Sequence, residues 1–323
     1  MKNHSSVAMS RGLRMLSCGV VLLCNNRLAV SLKPNVLCRL VWSLASSSEV
    51  NAGIERAQEA ITVLSRRGRT EKRLGPLVDL ACKQPQPQPQ PQPNNGKESS
   101  VAADIGCDHG LLTVSLAVSG LFGNVIGVDV SKQALEQGAL NLLEEYDKLV
   151  ADGSLVSSTT LGAEFRLGNG LGALGDNESD LVCIAGMGVN TMIKILQQQE
   201  LERIGCRRLI LQPTNSKPRN LIQLYDHLGE SGWRVDEERI QLLSSRWYLT
   251  TLFSKSTNEA TRDPQWMELP GSFLGAQSPT DPNYESYVAH HLSWLRRDAE
   301  KTSRLHKDDQ RWLTAITKHE KNV

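Results

Sequence analysis

From Val101 to Ser254 the chain alternates short apolar runs with stretches of helical periodicity, and this alternation constrains the fold more than any other feature. Val101–Ile105, Asn124–Val128, Phe165–Leu167, Leu181–Ala185 and Arg208–Gln212 read as strands. Leu111–Ser119 and Val189–Gln198 read as helices, as does Pro218–Leu228, opened by its proline. A further helix carries Leu135, Ala139, Leu142 and Leu143, and Ser131 is placed to cap it. Trp233–Val235 and Trp247–Ser254 complete the series as final strands. Parallel strands need crossover connections, usually helical, so strand–helix alternation predicts an α/β fold: a largely parallel sheet covered on both faces.

The polar residues of interest fall where strands end, the edge at which open α/β sheets bind ligands. Asp104-Ile-Gly-Cys-Asp-His-Gly110 joins the first strand to the first helix. A glycine-rich turn there lets a ligand approach backbone amides. It is not G-x-G-x-x-G, which disfavours an NAD-linked oxidoreductase. Asp104 ahead of Gly106 suits a ligand with an ammonium group, such as the amino group of a methionyl moiety. Asp129 ends the second strand about 20 residues after that turn, placed to accept both ribose hydroxyls of a nucleoside. Asn169 and Gly170 follow the third strand, where an amide can read an adenine edge or simply build a turn. Ala185, Gly186, Met187 and Gly188 end the fourth strand, and their small size keeps the edge open. Gln212 and Asn215 close the fifth; they suit a base-reading role and a buried polar network equally.

Outside this core the composition changes. Residues 1–48 hold six Lys or Arg and no acid, where about five acids would be expected at the chain's average. Basic, Ser-rich and acid-free, residues 1–52 are expected to direct the chain to a mitochondrion or plastid, with the cytoplasm as fallback. Residues 53–98 combine a basic helical stretch, Ile54–Lys83, with a Gln-Pro repeat that suits only an extended linker. Residues 99–256 form the expected catalytic domain and 257–323 a small helical one, with Tyr284, Tyr287, Val288, His291, Leu292 and Leu295 on one face. From Arg296 to Lys321 eight basic residues face five acids, so Arg296, Arg297 and Arg304 are candidate phosphate contacts. No apolar run is long enough to span a bilayer, so no membrane partner is expected. The seven cysteines lack metal-ligand spacing, so no metal is expected either.

Together ADIGCDHG (103–110), GNGLGAL (168–174), IAGMG (184–188) and LILQPTN (209–215) resemble the bacterial tRNA (adenine(22)-N1)-methyltransferase family. The resemblance spans Lys72 to Ser254 and more loosely the tail. It implies a Rossmann-like class I methyltransferase sheet with a small C-terminal α-helical domain. It also implies S-adenosyl-L-methionine as cofactor, tRNA as partner, and methyl transfer to N1 of an adenine. The cofactor would then contact Asp104, Gly106, Asp129, Asn169, Gly170 and Ala185–Gly188, and the substrate Gln212, Asn215 and the tail arginines. Asp108 and His109 stand beside the reacting centre as catalytic candidates. The sequence departs from the family at Val189, where another Gly is usual, and at Asn169, where an acid is usual. A cofactor-binding RNA-associated protein without methyl transfer, or a methyltransferase of another RNA, is the alternative. Asn/Asp-Pro-Pro-Tyr is absent, which argues against exocyclic-amine or glutamine methylation. A monomer or weak homo-oligomer is expected.

Overall fold

The computed structural model describes residues 34–65, 68–83, 100–155, 161–255, 281–302 and 305–322. Arg304, the Gln-Pro repeat at 84–99 and residues 1–33 of the acid-free segment lie outside them. Contacts divide the chain into Met1–Asn51 and Ala52–Val323. The smaller unit contributes only the first part of helix α1 (Pro34–Leu64) to the described residues.

In the larger unit helix α2 (Gly68–Cys82) precedes the alternating core. The core then runs β1 (Val101–Ile105), α3 (Leu111–Val118), β2 (Asn124–Asp129), α4 (Lys132–Ala134), a π turn (Leu135–Ala139) and α5 (Leu140–Ala151). It continues through β3 (Ala163–Leu167), β4 (Leu181–Ala185), α6 (Val189–Ile195), α7 (Gln198–Arg203), β5 (Arg208–Gln212) and α8 (Pro218–Glu230). It closes with β6 (Trp233–Leu243), β7 (Arg246–Lys255), α9 (Tyr284–Thr302) and α10 (Lys307–Asn322). The seven strands lie in the order β3-β2-β1-β4-β5-β7-β6. The first five in that row are parallel, and β7 and β6 run antiparallel at the edge. The chain fills one side of β1 first and then crosses to β4. That reversal opens a crevice beyond the C-terminal ends of β1 and β4, where a doubly wound sheet binds its ligand.

Successive strand residues face opposite layers, and both layers are buried and apolar. Ala102, Val125, Leu181, Cys183 and Ile210 pack beneath α1, α2 and α3. Ala103, Ile105, Ile126, Val128, Val182, Ile184, Leu209 and Leu211 face the other way, into a core shared with α6, α8, α9 and α10. Burial on both sides explains why these strands are apolar without alternation.

Two elements differ from the sequence reading. The helix expected over Val189–Gln198 breaks at Leu196 and Gln197, giving α6 and α7. The strand expected over Trp233–Val235 runs on to Leu243, through Asp236, Glu237 and Glu238. Acidic residues are poor strand formers, but Glu238 is buried where Tyr225 Oη and Thr251 Oγ1 donate hydrogen bonds to its carboxylate. A register shift between Val235 and Glu237 marks a bulge in the same stretch.

Candidate functional site

A cavity of about 880 Å3 lies at the crevice, walled by the ends of β1, β2 and β4 and by α2. The β1–α3 turn forms its floor. Gly106 and Cys107 donate their amides to Val128 O at 2.7 and 3.1 Å, tying the turn to β2. Gly106 has φ +75°, and a Cβ there would stand 2.1 Å from Met187 Cε. The left-handed backbone favours glycine here, and any side chain would also have to displace the Met187 methyl.

Asp104 is 3% exposed and lines the cavity. Thr113 Oγ1 donates a hydrogen bond to its Oδ2 at 2.8 Å. Burial raises its pKa from 3.8 to about 6, although Thr113 and Arg73 pull the other way. A buried carboxylate facing a cavity is a counter-charge in want of a cation. Asp129 organises the turn as well as the cavity wall. Its Oδ2 accepts the amide of Asp108 at 2.9 Å and its Oδ1 that of Ser131 at 2.8 Å. A carboxylate has about four acceptor positions, so two remain for hydroxyl groups. Ser131 caps α4 as expected, accepting the Ala134 amide at 3.1 Å.

Asp108 and His109 stand at the mouth, 3.8 Å apart, with side chains 73% and 70% exposed. Asp108 adopts φ +50°, a conformation non-glycine residues rarely hold, and the Asp129 contact fixes its amide there. His109 lies against the π turn: a Cβ on Gly138 would stand 2.1 Å from its Nδ1. The extra residue of the π turn and the bare Gly138 together make the berth for this ring.

Arg73 of α2 enters the same cavity. Burial lowers its pKa, partly offset by Tyr248, Asp104 and Asp108. Sequence reading missed it because its helix precedes the Gln-Pro repeat and carries no recognisable motif. Arg246 and Tyr248 from β7 and Thr214 also line the cavity and were missed, since nothing in an antiparallel edge strand marks a ligand contact.

The remaining candidates separate. Ala185, Gly186 and Met187 line the cavity with Asp104, Gly106, Asp108, His109 and Asp129. Gly188 caps α6, where its carbonyl accepts the amides of Thr191 and Met192. Asn169 precedes a 3-10 turn, and neither it nor Gly170 lines the cavity. Gln212 is a correction: it is fully buried, and its Nε2 donates to Arg73 O at 3.0 Å and Thr250 Oγ1 at 2.8 Å. Of the two roles open to it, the internal network is the one it fills. Asn215 is exposed, and its Oδ1 accepts the Lys217 amide at 3.0 Å. Arg296 and Arg297 are exposed on α9. Val189 packs into the core and not into the cavity.

Cys82, Cys107, Cys183 and Cys206 are free and buried, and burial pushes each thiol pKa up, so none of these is a ready thiolate. Among the described residues no cluster of three His, Cys, Asp or Glu suits a metal, and no helix is long and apolar enough to cross a membrane.

Residues 95–250 match a family model described as "Methyltransferase domain", just under half of the chain. A comparison with curated proteins finds no match. Among solved structures the chain is similar to the B. subtilis M1A22 tRNA methyltransferase TrmK, at 21% identity and TM-score 0.50. That likeness covers 69% of this chain and 90% of the other. It is similar also to Streptococcus pneumoniae Sp1610 in complex with S-adenosyl-L-methionine, at 20% identity and TM-score 0.50, covering 68% and 92%. At such identity the likeness shows the fold, which is Rossmann-like.

Proposed function

We propose that this chain, with its Rossmann-like methyltransferase domain, transfers a methyl group from S-adenosyl-L-methionine to N1 of an adenine in tRNA. The observation that carries this is the pairing of a buried carboxylate and a half-buried guanidinium in one cavity, with an exposed Asp–His pair at its mouth. The methionyl end of the cofactor is a zwitterion. Asp104 would hold its ammonium and Arg73 its carboxylate, which matches each charge of the cavity with its opposite. Asp129 would take ribose hydroxyls with the acceptor positions its turn contacts leave free. When bound, the cofactor supplies an electrophilic methyl group on a sulfonium. Similarity to TrmK supports tRNA as the substrate class.

The protein's own work is positioning and charge handling. Adenine N1 carries an in-plane lone pair, so no covalent intermediate with the protein is needed. Asp108, fixed through its amide by Asp129, presents a carboxylate that would accept a hydrogen bond from the adenine amino group. The same carboxylate stabilises the positive charge the base acquires. His109, seated on Gly138, walls the mouth beside it. A base in folded tRNA must leave its stack to reach this depth. The acid-free composition of residues 1–48 supports organellar delivery.

The test is transfer of labelled methyl to unmodified tRNA transcripts, followed by mass spectrometry of the nucleosides. N1-methyladenosine formed by the wild type and lost in Asp108→Ala is expected. Cofactor binding with no labelled nucleoside from any tRNA would refute the assignment.

A further inference from the structure

A second recess adjoins the cavity. It has a volume of about 540 Å3 and lies between the loop after β5, the β6–β7 turn and α9. Thr214 and Arg246 line both, so the two share a wall. The recess combines two cations, Lys217 and Arg246, with three rings, Trp247, His290 and His291. Among the described residues no carboxylate lines it. Lys217 Nζ sits 4.5 Å from the centroid of the Trp294 ring. An aromatic face holds a cation without neutralising it, so the charge remains available to an anion. Lys217 also precedes the first turn of the 13-residue α8, whose N-terminal dipole end adds positive potential.

One ring of the recess, His290, is open to stacking by a flat ligand. His290 is exposed and lies 6.0 Å from Trp247, centroid to centroid. His291 is 5% exposed, and its buried Nε2 has no hydrogen-bond partner among the described residues. A buried polar atom without a partner, in the wall of a recess, is explained by a ligand that supplies one.

We propose that this recess is a subsite for a nucleotide flanking the target adenosine, its base stacked on His290 and its phosphate neutralised by Lys217 and Arg246. The assignment rests on RNA being the substrate. Drawing one base from its stack bares the face of its neighbour, and a stacking platform beside the reaction cavity replaces the lost contact. Charge and shape both favour this occupant over an acidic peptide, which offers no ring for His290.

The experiment measures tRNA binding by fluorescence anisotropy against salt concentration, for the wild type, His290→Ala and Lys217→Gln. His290→Ala is expected to weaken binding about ten-fold at an unchanged salt slope, the mark of lost stacking. Lys217→Gln is expected to reduce the slope by about 0.7–0.9, the mark of one lost phosphate contact. Calorimetry with S-adenosyl-L-methionine should give both variants wild-type affinity, showing that each is folded. Unchanged tRNA affinity and slope in both variants would overturn the subsite. Because binding is read apart from methyl transfer, a wild type that binds tRNA without methylating it would refute the proposed reaction and leave this result to stand or fall by itself.

Discussion

At neutral pH the protein keeps a charge where burial opposes it. Asp104 is 3% exposed, and burial raises its pKa from 3.8 to about 6. A group whose pKa is higher in the folded state binds its proton more tightly there. Its contribution to stability is therefore fully present below pH 3.8 and is lost as pH rises through 6. A shift of two units corresponds to about 3 kcal/mol at 1.36 kcal/mol per unit. Asparagine keeps an acceptor for Thr113 and carries no charge. Asp104→Asn is therefore expected to stabilise the cofactor-free protein by about 1–3 kcal/mol at pH 7.5, and hardly at all near pH 4. The same change removes the counter-charge for the ammonium, so cofactor affinity should fall at least about ten-fold, as a lost charge-assisted hydrogen bond implies. Wild-type affinity should itself weaken below about pH 6, as Asp104 becomes protonated. Urea denaturation of both proteins from pH 4 to 7.5, with calorimetry of cofactor binding, checks all three statements. A stability difference that does not change with pH, or an Asn variant that binds the cofactor normally, would refute the assignment.

Asp108→Ala should lower kcat about a hundred-fold while cofactor affinity changes little, the pattern of an interaction made in the transition state; equal loss in both would make Asp108 a cofactor ligand. His291 should make the fold acid-sensitive. Burial, with His290 and Lys217 nearby, lowers its pKa from 6.5 to about 3, so its stabilising neutral form is fully present above 6.5 and its contribution is lost as pH falls toward 3. His291→Phe should unfold at a lower pH than the wild type, and a coincident acid transition would count against this. Charge reversal at Arg296, Arg297 and Arg304 should weaken tRNA binding and flatten its salt dependence, whereas unchanged curves would assign the tail to packing alone. A fluorescent fusion of residues 1–52 should enter mitochondria or plastids, and a diffuse cytosolic signal would contradict it.

The parallel core was legible because it is periodic. β1, β4 and β5 begin and end where the apolar runs do, and Asp104, Gly106 and Asp129 stand together because the strand ends that carry them are neighbours. Long-range placement was not legible. Gln212 looks the same in sequence whether it meets a base or Thr250, and only the antiparallel pairing of β5 with β7 decides. Arg73 reaches the cavity by the docking of α2, and no local pattern encodes a docking. The length of β6 was hidden by Asp236, Glu237 and Glu238: Glu238 is buried against Tyr225 from a helix earlier in the chain, and Glu237 pairs with the distant Lys83.

Helix α2 is held to the sheet by bonds that ignore the chain joining them. Arg208 donates to Leu80 O at 2.9 Å, Gln241 to Lys72 O at 2.8 Å, and Lys83 pairs with Glu237 at 2.6 Å. The sequence between Lys83 and Val101 thus needs only to bridge two fixed ends. Lengthening such a bridge costs loop-closure entropy alone, about 0.6 kcal/mol for each doubling. A repetitive stretch is free to grow or shrink there across generations while Arg73 keeps its station. An insertion of equal size between Asp104 and Gly110 would part residues that line the cavity together. Tolerance to length is thus distributed unevenly along this chain, and the low-complexity repeat occupies a stretch where it is high.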